Sequence, residues 1–461
     1  MQLLQKVKMP ERDPNIRKRD FKQVNCGYIQ SEMLKEAKRC LQCQKPLCVH
    51  GCPVGIDIPE FIKHLSLNDP KQAMVVLKRK NDFPAICGRI CPQENQCEKF
   101  CILSKRNESV SIGNLERYAA DNTASMDSSN TMIISKNGIR IAIIGSGPSG
   151  LTCGGDLLKM GYDVTVYESL HNAGGVLRYG VPEFRLPKYV LDLELCNLKK
   201  LGMKIILNTF IGRTKTIKEL FYEGYKSIFI ATGAGLPIFP KIPGENLNHI
   251  YSANEFLVRV NLMHSFDFPN YDTPIYKARN AVVIGGGNTA MDAARTALRL
   301  GAENVKLIYR RTESEMPARK EERIHAKEEG IDFVTLTSPV RFIGNEKRFV
   351  KAIECMKMES GEIDNSGRRH LSKIIGSNYI IETDMVVLAL GLHPNPILPS
   401  LVYGLIIDSH GHITTDDSFM TSLPGVFAGG DVVGGATVIE AMRMGKKAAK
   451  AIEKYLKNNC C

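Results

Sequence analysis

The stretch "RIAIIGSGPSGLTCGGDLLKMG", Arg140 to Gly161, decides the fold of this chain. An apolar strand runs into a glycine turn at Gly145, Gly147 and Gly150, and a helix of small residues follows. Such a turn brings backbone N–H groups and a helix N-terminus to a pyrophosphate, and the glycines let it approach closely. A second strand follows in "YDVTVYES". The pattern recurs at Asn280 to Gly301, "NAVVIGGGNTAMDAARTALRLG", with its turn at Gly285, Gly287 and Ala290 and the strand "VKLIYRR" behind it. Each copy later reaches a strand ending in a small residue and glycine, "SIFIATG" and "MVVLALG". The chain therefore carries an internal duplication of a βαβ nucleotide-binding module.

The copies differ where their second strands end. In the first, Glu168 stands about twenty residues past the turn, where a carboxylate accepts ribose hydroxyls. That suits FAD or NAD and repels a 2′-phosphate. In the second, Arg310 and Arg311 occupy the same place, and guanidinium groups match phosphate geometry, which predicts NADP. The alternative is that both arginines are plain surface charges. After the second module, "SLPGVFAGGDVVGGATVIEAMRMGKKAA" runs from a strand into Gly429, Gly430 and Asp431, with a helix starting near Thr437. No glycine turn precedes this segment, so it is expected to return and complete the first module. Asp431, a carboxylate after a strand, can accept a flavin ribityl hydroxyl.

Ahead of these modules lies a cysteine-rich region. Nine of the 14 cysteines precede residue 102. "RCLQCQKPLCVHGCPVG", Arg39 to Gly55, reads as one short loop with Cys40, Cys43, Cys48 and Cys52. "CGRICPQENQCEKFC" holds Cys87, Cys91, Cys97 and Cys101. Zinc could fill two four-cysteine sites. The spacings are not paired C-x2-C knuckles, however, and proline follows a cysteine in both runs, as in ferredoxin-like iron–sulfur loops. Two [4Fe–4S] clusters are the favoured reading. No strand pattern occurs in residues 1–130. Ile58, Phe61, Ile62 and Leu65 fall at helical spacing behind Asp57 and Pro59, and Asp69 with Pro70 opens a second helix. "DNTASMDSSNTM" reads as a linker.

The expected architecture is α/β: two Rossmann-like modules of the disulfide-oxidoreductase type, the second inserted in the first, behind a helical ferredoxin-like domain. The divisions are 1–130 for the iron–sulfur domain, 131–270 for the first part of the FAD module, 271–398 for the NADPH module and 399–461 for completion of the FAD module.

Composition is that of a globular protein of 461 residues, 43% hydrophobic and 24% charged. No run is long enough to span a bilayer. The start, "MQLLQKVKMPERDPN", reads as neither signal nor transit peptide, so the cytoplasm is the expected compartment and clustered thiols are ligands rather than disulfides. The net charge of +12 is dispersed among acids and comes with no nucleic-acid motif. A basic surface docking an acidic redox partner fits it, as does a plain solvated surface. Cys460 and Cys461 read as an inert tail, since neither forms a prenylation box.

The cysteine runs, "GGVLRYGVPEFRLPK" and "GGGNTAMDAA…YRRTESEMPA" together resemble the small (beta) chain of NADPH-dependent glutamate synthase. Relatives of that family are the large subunit of NADH-dependent ferredoxin:NADP oxidoreductase, sulfide dehydrogenase and the amino-terminal half of dihydropyrimidine dehydrogenase. The resemblance implies that Gly145, Gly147, Gly150, Glu168, Gly175, Arg185, Asp431 and Thr437 bind FAD. By the same likeness Gly285, Gly287, Asn288, Thr289, Arg310 and Arg311 bind NADPH. It further implies interleaved cluster ligands: Cys40, Cys43, Cys48 and Cys101 for one cluster, and Cys52, Cys91, Cys97 and Glu116 for the other, with Cys87 free. The simpler assignment makes Cys87 the eighth ligand.

The implied activity passes electrons from NADPH to FAD, to the clusters and on to an acceptor, with no side chain acting as general acid or base. The partner is then a large amidotransferase subunit carrying FMN, or a small acceptor such as ferredoxin, with a homo-oligomer also open. Two rival readings are a free-standing NADPH:acceptor reductase and a non-enzymatic redox sensor. The chain has no glutaminase or FMN-barrel domain, and no C-x2-C redox pair follows either nucleotide turn.

Overall fold

The computed structural model describes residues 5–105, 108–123, 135–363, 369–435 and 437–459. Most of the expected linker and the Cys460–Cys461 tail lie outside the described residues.

The front of the chain is helical. Helices span Gln30–Ala37, Leu47–Gly51, Ile58–Ser66, Pro70–Lys78, Pro84–Ile90 and Ile112–Asp121. Asp57 accepts the Glu60 N–H at 3.2 Å and Asp69 accepts the Gln72 N–H at 3.0 Å, each capping a helix that has proline in its first turn. Ile58, Phe61, Ile62 and Leu65 all face the core. One correction concerns the first cysteine run, which is not a plain loop: Leu47–Gly51 forms a turn and a half of helix between Cys43 and Cys52. Five residues are too few to show a periodicity.

Behind the helices stand two parallel five-stranded sheets. The first has the order Val426–Ala428, Tyr225–Ile230, Arg140–Ile144, Asp163–Tyr167, Lys204–Ile206. Its Val426–Ala428 strand comes after the entire second sheet and pairs in parallel with Ile228–Ile230. The long helix Val438–Asn459 then crosses the helix Pro148–Lys159 at Gly445, where a Cβ would lie 2.3 Å from the Ser149 carbonyl oxygen.

The second sheet has the order Ile250–Ser252, Met385–Leu388, Asn280–Ile284, Asn304–Ile308, Asp332–Val334. It therefore begins some twenty residues before position 271. Ile250–Ser252 is its edge strand, and the helix Ala253–Asn261 packs with it. Three residues of edge strand show no alternation that a sequence reading could use. A further antiparallel sheet, built from Thr337–Gly344, Val350–Ile363, Arg369–Lys373 and Tyr379–Glu382, covers one face. Phe342 and Ile353 pack there on Val282, Ile308 and Val386. A short antiparallel pair, Ala234–Pro237 with Leu392–Pro394, lies where the chain passes between the two sheets.

One apolar core runs from Met33, Phe61 and Leu115 of the helical region to Ile143, Leu157 and Ile452 of the first sheet unit. The front domain and the first module thus share their interior.

Candidate functional site

The two nucleotide turns are built alike. At Gly145, φ is +104° and a Cβ would sit 2.4 Å from the Ala231 carbonyl oxygen. At Gly285, φ is +151° and a Cβ would sit 2.4 Å from the Ala389 oxygen. In both, the absent side chain lets the turn press against the neighbouring strand. Gly150 closes the first turn, since a Cβ there would lie 2.1 Å from the Gly145 oxygen. Gly147 and Gly287, which open the helices Pro148–Lys159 and Asn288–Arg299, differ: nothing lies within 4 Å of a Cβ at either. Those positions face open space at a helix N-terminus, where a pyrophosphate belongs.

In the first module Glu168 is buried and accepts the Ser146 N–H at 3.0 Å, the Ser146 hydroxyl at 2.5 Å and the Leu170 N–H at 2.9 Å. Ser146 in turn accepts the Gly174 N–H at 3.0 Å. Gly175, at φ +54°, lies so near the turn that a Cβ would be 2.7 Å from Gly147 Cα. Glu168, Gly147 and Gly175 therefore converge. Burial, with the Glu440 charge, raises the Asp431 carboxyl to about 6. Burial, with the charges of Asp431 and Glu168, pushes Tyr179 up to about 12. Tyr179, from the "GGVLRYGVPEFRLPK" stretch, feels both carboxylates of this site although it is outside the expected set. Thr437 Oγ accepts the Glu440 N–H at 3.3 Å and caps the closing helix.

Arg185, expected among the FAD residues, is buried and ion-paired across to the second module. It binds Asp292 at 2.6 Å and Glu322 at 2.9 Å, both on helices of the second module. Its partners are carboxylates brought up by the inserted module, which no local motif announces. The same seam holds Glu329 with Arg17 at 3.0 Å, Arg295 at 2.8 Å and Arg299 at 2.7 Å.

In the second module Asn288 accepts the Arg319 N–H at 2.9 Å. The Arg319 guanidinium donates to Gln93 Oε1 at 2.8 Å, and Gln93 donates to the Cys87 carbonyl at 3.2 Å. Gln93 and Arg319, both outside the expected set, tie this turn to the second cysteine run. Thr289 follows Asn288 at the helix start. Arg310 is exposed and has no polar partner among the described residues, whereas Arg311 donates to the Arg369 carbonyl at 2.8 Å and pairs with Glu315 at 3.3 Å.

The eight cysteines fall into two groups. Cys40, Cys43, Cys48 and Cys101 line one apolar cavity of about 50 Å³. Burial and the neighbouring thiols Cys40, Cys101 and Cys43 push Cys48 up to about 12. In the second group, burial and the Glu116 charge raise Cys52 to about 11, and burial with Glu98, Cys52 and Glu116 raises Cys97 well above the ordinary thiol range. Cys91 is raised likewise, by Cys87, burial, Glu116 and Cys97. Burial lifts Glu116 to about 8 against its hydrogen bond from Asn81.

Among the described residues no three of these sulfurs come within 4.8 Å of one another. Sulfurs held at about 2.3 Å around a single zinc would stand about 4 Å apart. The apolar cavity lined by Cys40, Cys43, Cys48 and Cys101 is a setting in which four thiolates can hold an iron–sulfur cube.

The fold and these sites define a pyridine-nucleotide and flavin oxidoreductase joined to an iron–sulfur domain. Residues 17–128 match the family described as dihydropyrimidine dehydrogenase domain II, 4Fe-4S cluster, and residues 127–449 match pyridine nucleotide-disulphide oxidoreductase. The chain is 33% identical over 462 residues to the glutamate synthase (NADPH) small chain of Escherichia coli K12, covering 98% of each. It is 32% identical over 445 residues to the NAD-dependent dihydropyrimidine dehydrogenase subunit PreT of Salmonella typhimurium, covering 94% of this chain and 97% of that one. Mycobacterium tuberculosis FprA in complex with NADPH shares the fold, with a TM-score of 0.58 at 21% identity over 70% of this chain and 85% of that one.

The chain belongs to the glutamate synthase (NADPH) small-chain family. It is an NADPH-dependent flavin oxidoreductase with an iron–sulfur domain. Among the described residues no helix is long and apolar enough to cross a membrane.

Proposed function

We propose that the chain is the electron-input subunit of a larger enzyme, holding FAD, NADPH and two [4Fe–4S] clusters. When bound, these groups supply hydride acceptance and one-electron transfer. The side chains bind and orient them. Glu168 and Asp431 hold the FAD ribose and ribityl hydroxyls, and Arg310 with Arg311 reads the 2′-phosphate of NADPH. Cys40, Cys43, Cys48 and Cys101 hold one cluster. Cys52, Cys91, Cys97 and Glu116 hold the other.

The observation that carries this reading is the placement of the two cysteine groups. The Cys52 group is the inner one, because Cys87 beside it touches Met442 of the helix that closes the FAD module. The Cys40 group has no buried member, whereas Cys91 of the inner group and Cys87 beside it are buried. Electrons then have a path from the nucleotide modules through the inner site to the outer one. The acceptor is a large amidotransferase-type subunit, inferred from the near-full-length similarity to a glutamate synthase small chain. The compartment is the cytoplasm.

Anaerobic purification from the native host tests the reading. It is expected to yield about eight irons per chain, flavin bleached by stoichiometric NADPH, and a co-purifying large subunit. Flavin that stays oxidised with NADPH overturns the oxidoreductase reading. A chain that purifies alone and reduces its physiological acceptor overturns the subunit assignment.

A further inference from the structure

Four large apolar side chains stand around the mouth of the Cys40 site: Leu41, Leu47, Phe100 and Ile102, each about half exposed, from 47% to 52%. All come from the two segments that supply the four thiols. They are held there by packing. Gly51 has no side chain, and a Cβ on it would lie 2.5 Å from Phe100 Cδ2, so the ring sits against the Leu47–Gly51 helix while its other side faces solvent. An apolar cluster fixed at the surface marks an interaction site more often than a packing accident.

The charge carried by the two cysteine segments at this rim is of one sign. Lys38, Lys45, Lys99 and Lys105 are exposed and make no ion pair among the described residues. Residues 38–52 and 99–105 contain no Asp or Glu. The nearby acids Glu36 and Glu98 are turned inward, onto Arg39 at 2.7 Å and Lys6 at 3.2 Å. The other cysteine group has no such rim, since Cys91 and Glu116 are buried.

We propose that this rim is the docking surface for an acidic protein electron acceptor, which meets the chain directly over the Cys40, Cys43, Cys48 and Cys101 site. The inference rests on the electron path proposed above. Apolar side chains form the dry centre of the contact, and the lysines steer carboxylates toward it. A second copy of this chain is a poor occupant, because a two-fold contact would set the same lysines against each other.

The test uses the anaerobic holoenzyme with NADPH and an acidic ferredoxin as probe. Ferredoxin reduction is expected to slow about tenfold or more when salt is raised. It is expected to fall at least about tenfold in Lys45→Glu/Lys99→Glu/Lys105→Glu, and also in Phe100→Ser. Flavin bleaching by stoichiometric NADPH and the iron content should be unchanged in both variants. Three results overturn the docking surface while leaving the electron path standing: no ferredoxin reduction by the wild type, a rate in the triple variant equal to wild type, and binding of the wild type but not the triple variant to phosphatidylserine vesicles in place of ferredoxin. If NADPH does not bleach the wild-type flavin, the path falls and the docking surface falls with it.

Discussion

Cys87 Sγ lies 3.6 Å from Met442 Sδ, joining the iron–sulfur domain to the long helix that closes the flavin module. It also lies 3.7 Å from Asn81 Oδ1, and Asn81 donates to Glu116 at 2.7 Å. Cys87 is thus engaged in packing between the domains, beside the Cys91 group. Cys87→Ser is expected to keep about eight irons per chain, whereas Cys91→Ser should lose one cluster. Iron analysis with electron paramagnetic resonance of the two reduced variants checks this, and loss of a cluster in Cys87→Ser would make it the eighth ligand.

The two arginines expected at the 2′-phosphate are not equivalent. Arg311 is already engaged by Glu315 and the Arg369 carbonyl, while Arg310 is free among the described residues. Arg310→Ala should raise KM for NADPH by roughly tenfold to a hundredfold, matching the loss of a charge-assisted bond worth about 1.5–3 kcal/mol. Its KM for NADH should be little changed. Steady-state kinetics with both coenzymes decide it; equal effects would mean that Arg310 does not read the phosphate.

Two glycines of one turn should behave oppositely. Gly285→Ala forces a Cβ to 2.4 Å from a backbone oxygen at φ +151°, so the module should lose about 1–3 kcal/mol of stability. Gly287→Ala meets no protein atom within 4 Å at φ −88°, so stability should hold while NADPH affinity falls. Thermal unfolding and nucleotide titration of both variants separate strain from obstruction.

Three arginines share Glu329, whose side chain is fully buried with those of Arg295 and Arg299. Glu329→Gln leaves buried guanidinium charge uncompensated and should cost about 3–5 kcal/mol. Urea denaturation monitored in the second module measures this, and a loss below about 1 kcal/mol would show that the seam tolerates the charge.

The neighbouring Glu322 sets a pH dependence. Burial works against its charged form, but Arg185, Arg295 and His325 hold it down at about 2, below the ordinary 4.5. A depressed carboxyl stabilises the fold fully above its ordinary range, and the contribution fades as pH falls from 4.5 toward 2. Wild-type stability should therefore drop across that window more steeply than that of Glu322→Gln. Parallel slopes in the two denaturation series would remove Glu322 as the cause.

Much of this protein is local and so is legible in its sequence. A glycine turn between an apolar strand and a small-residue helix is a backbone requirement met within about twenty residues. The duplication, the acidic and basic strand ends and the helix caps at Asp57 and Asp69 are all of that kind. The inserted module's early edge strand is different, because Ile250–Ser252 is a strand only through its pairing with Met385–Leu388. Arg185 follows the same logic: its partners Asp292 and Glu322 are more than a hundred residues away along the chain. Gln93 and Arg319 join the sites through contacts between domains, and such contacts leave no spacing in the chain. The two cysteine runs announce iron–sulfur chemistry by themselves. Which thiols face one cavity, and which lie against the flavin module, was decided by folding. Helices that carry no pattern of mutual contact had to pack around one core shared with the first sheet unit before Cys101 could meet Cys40.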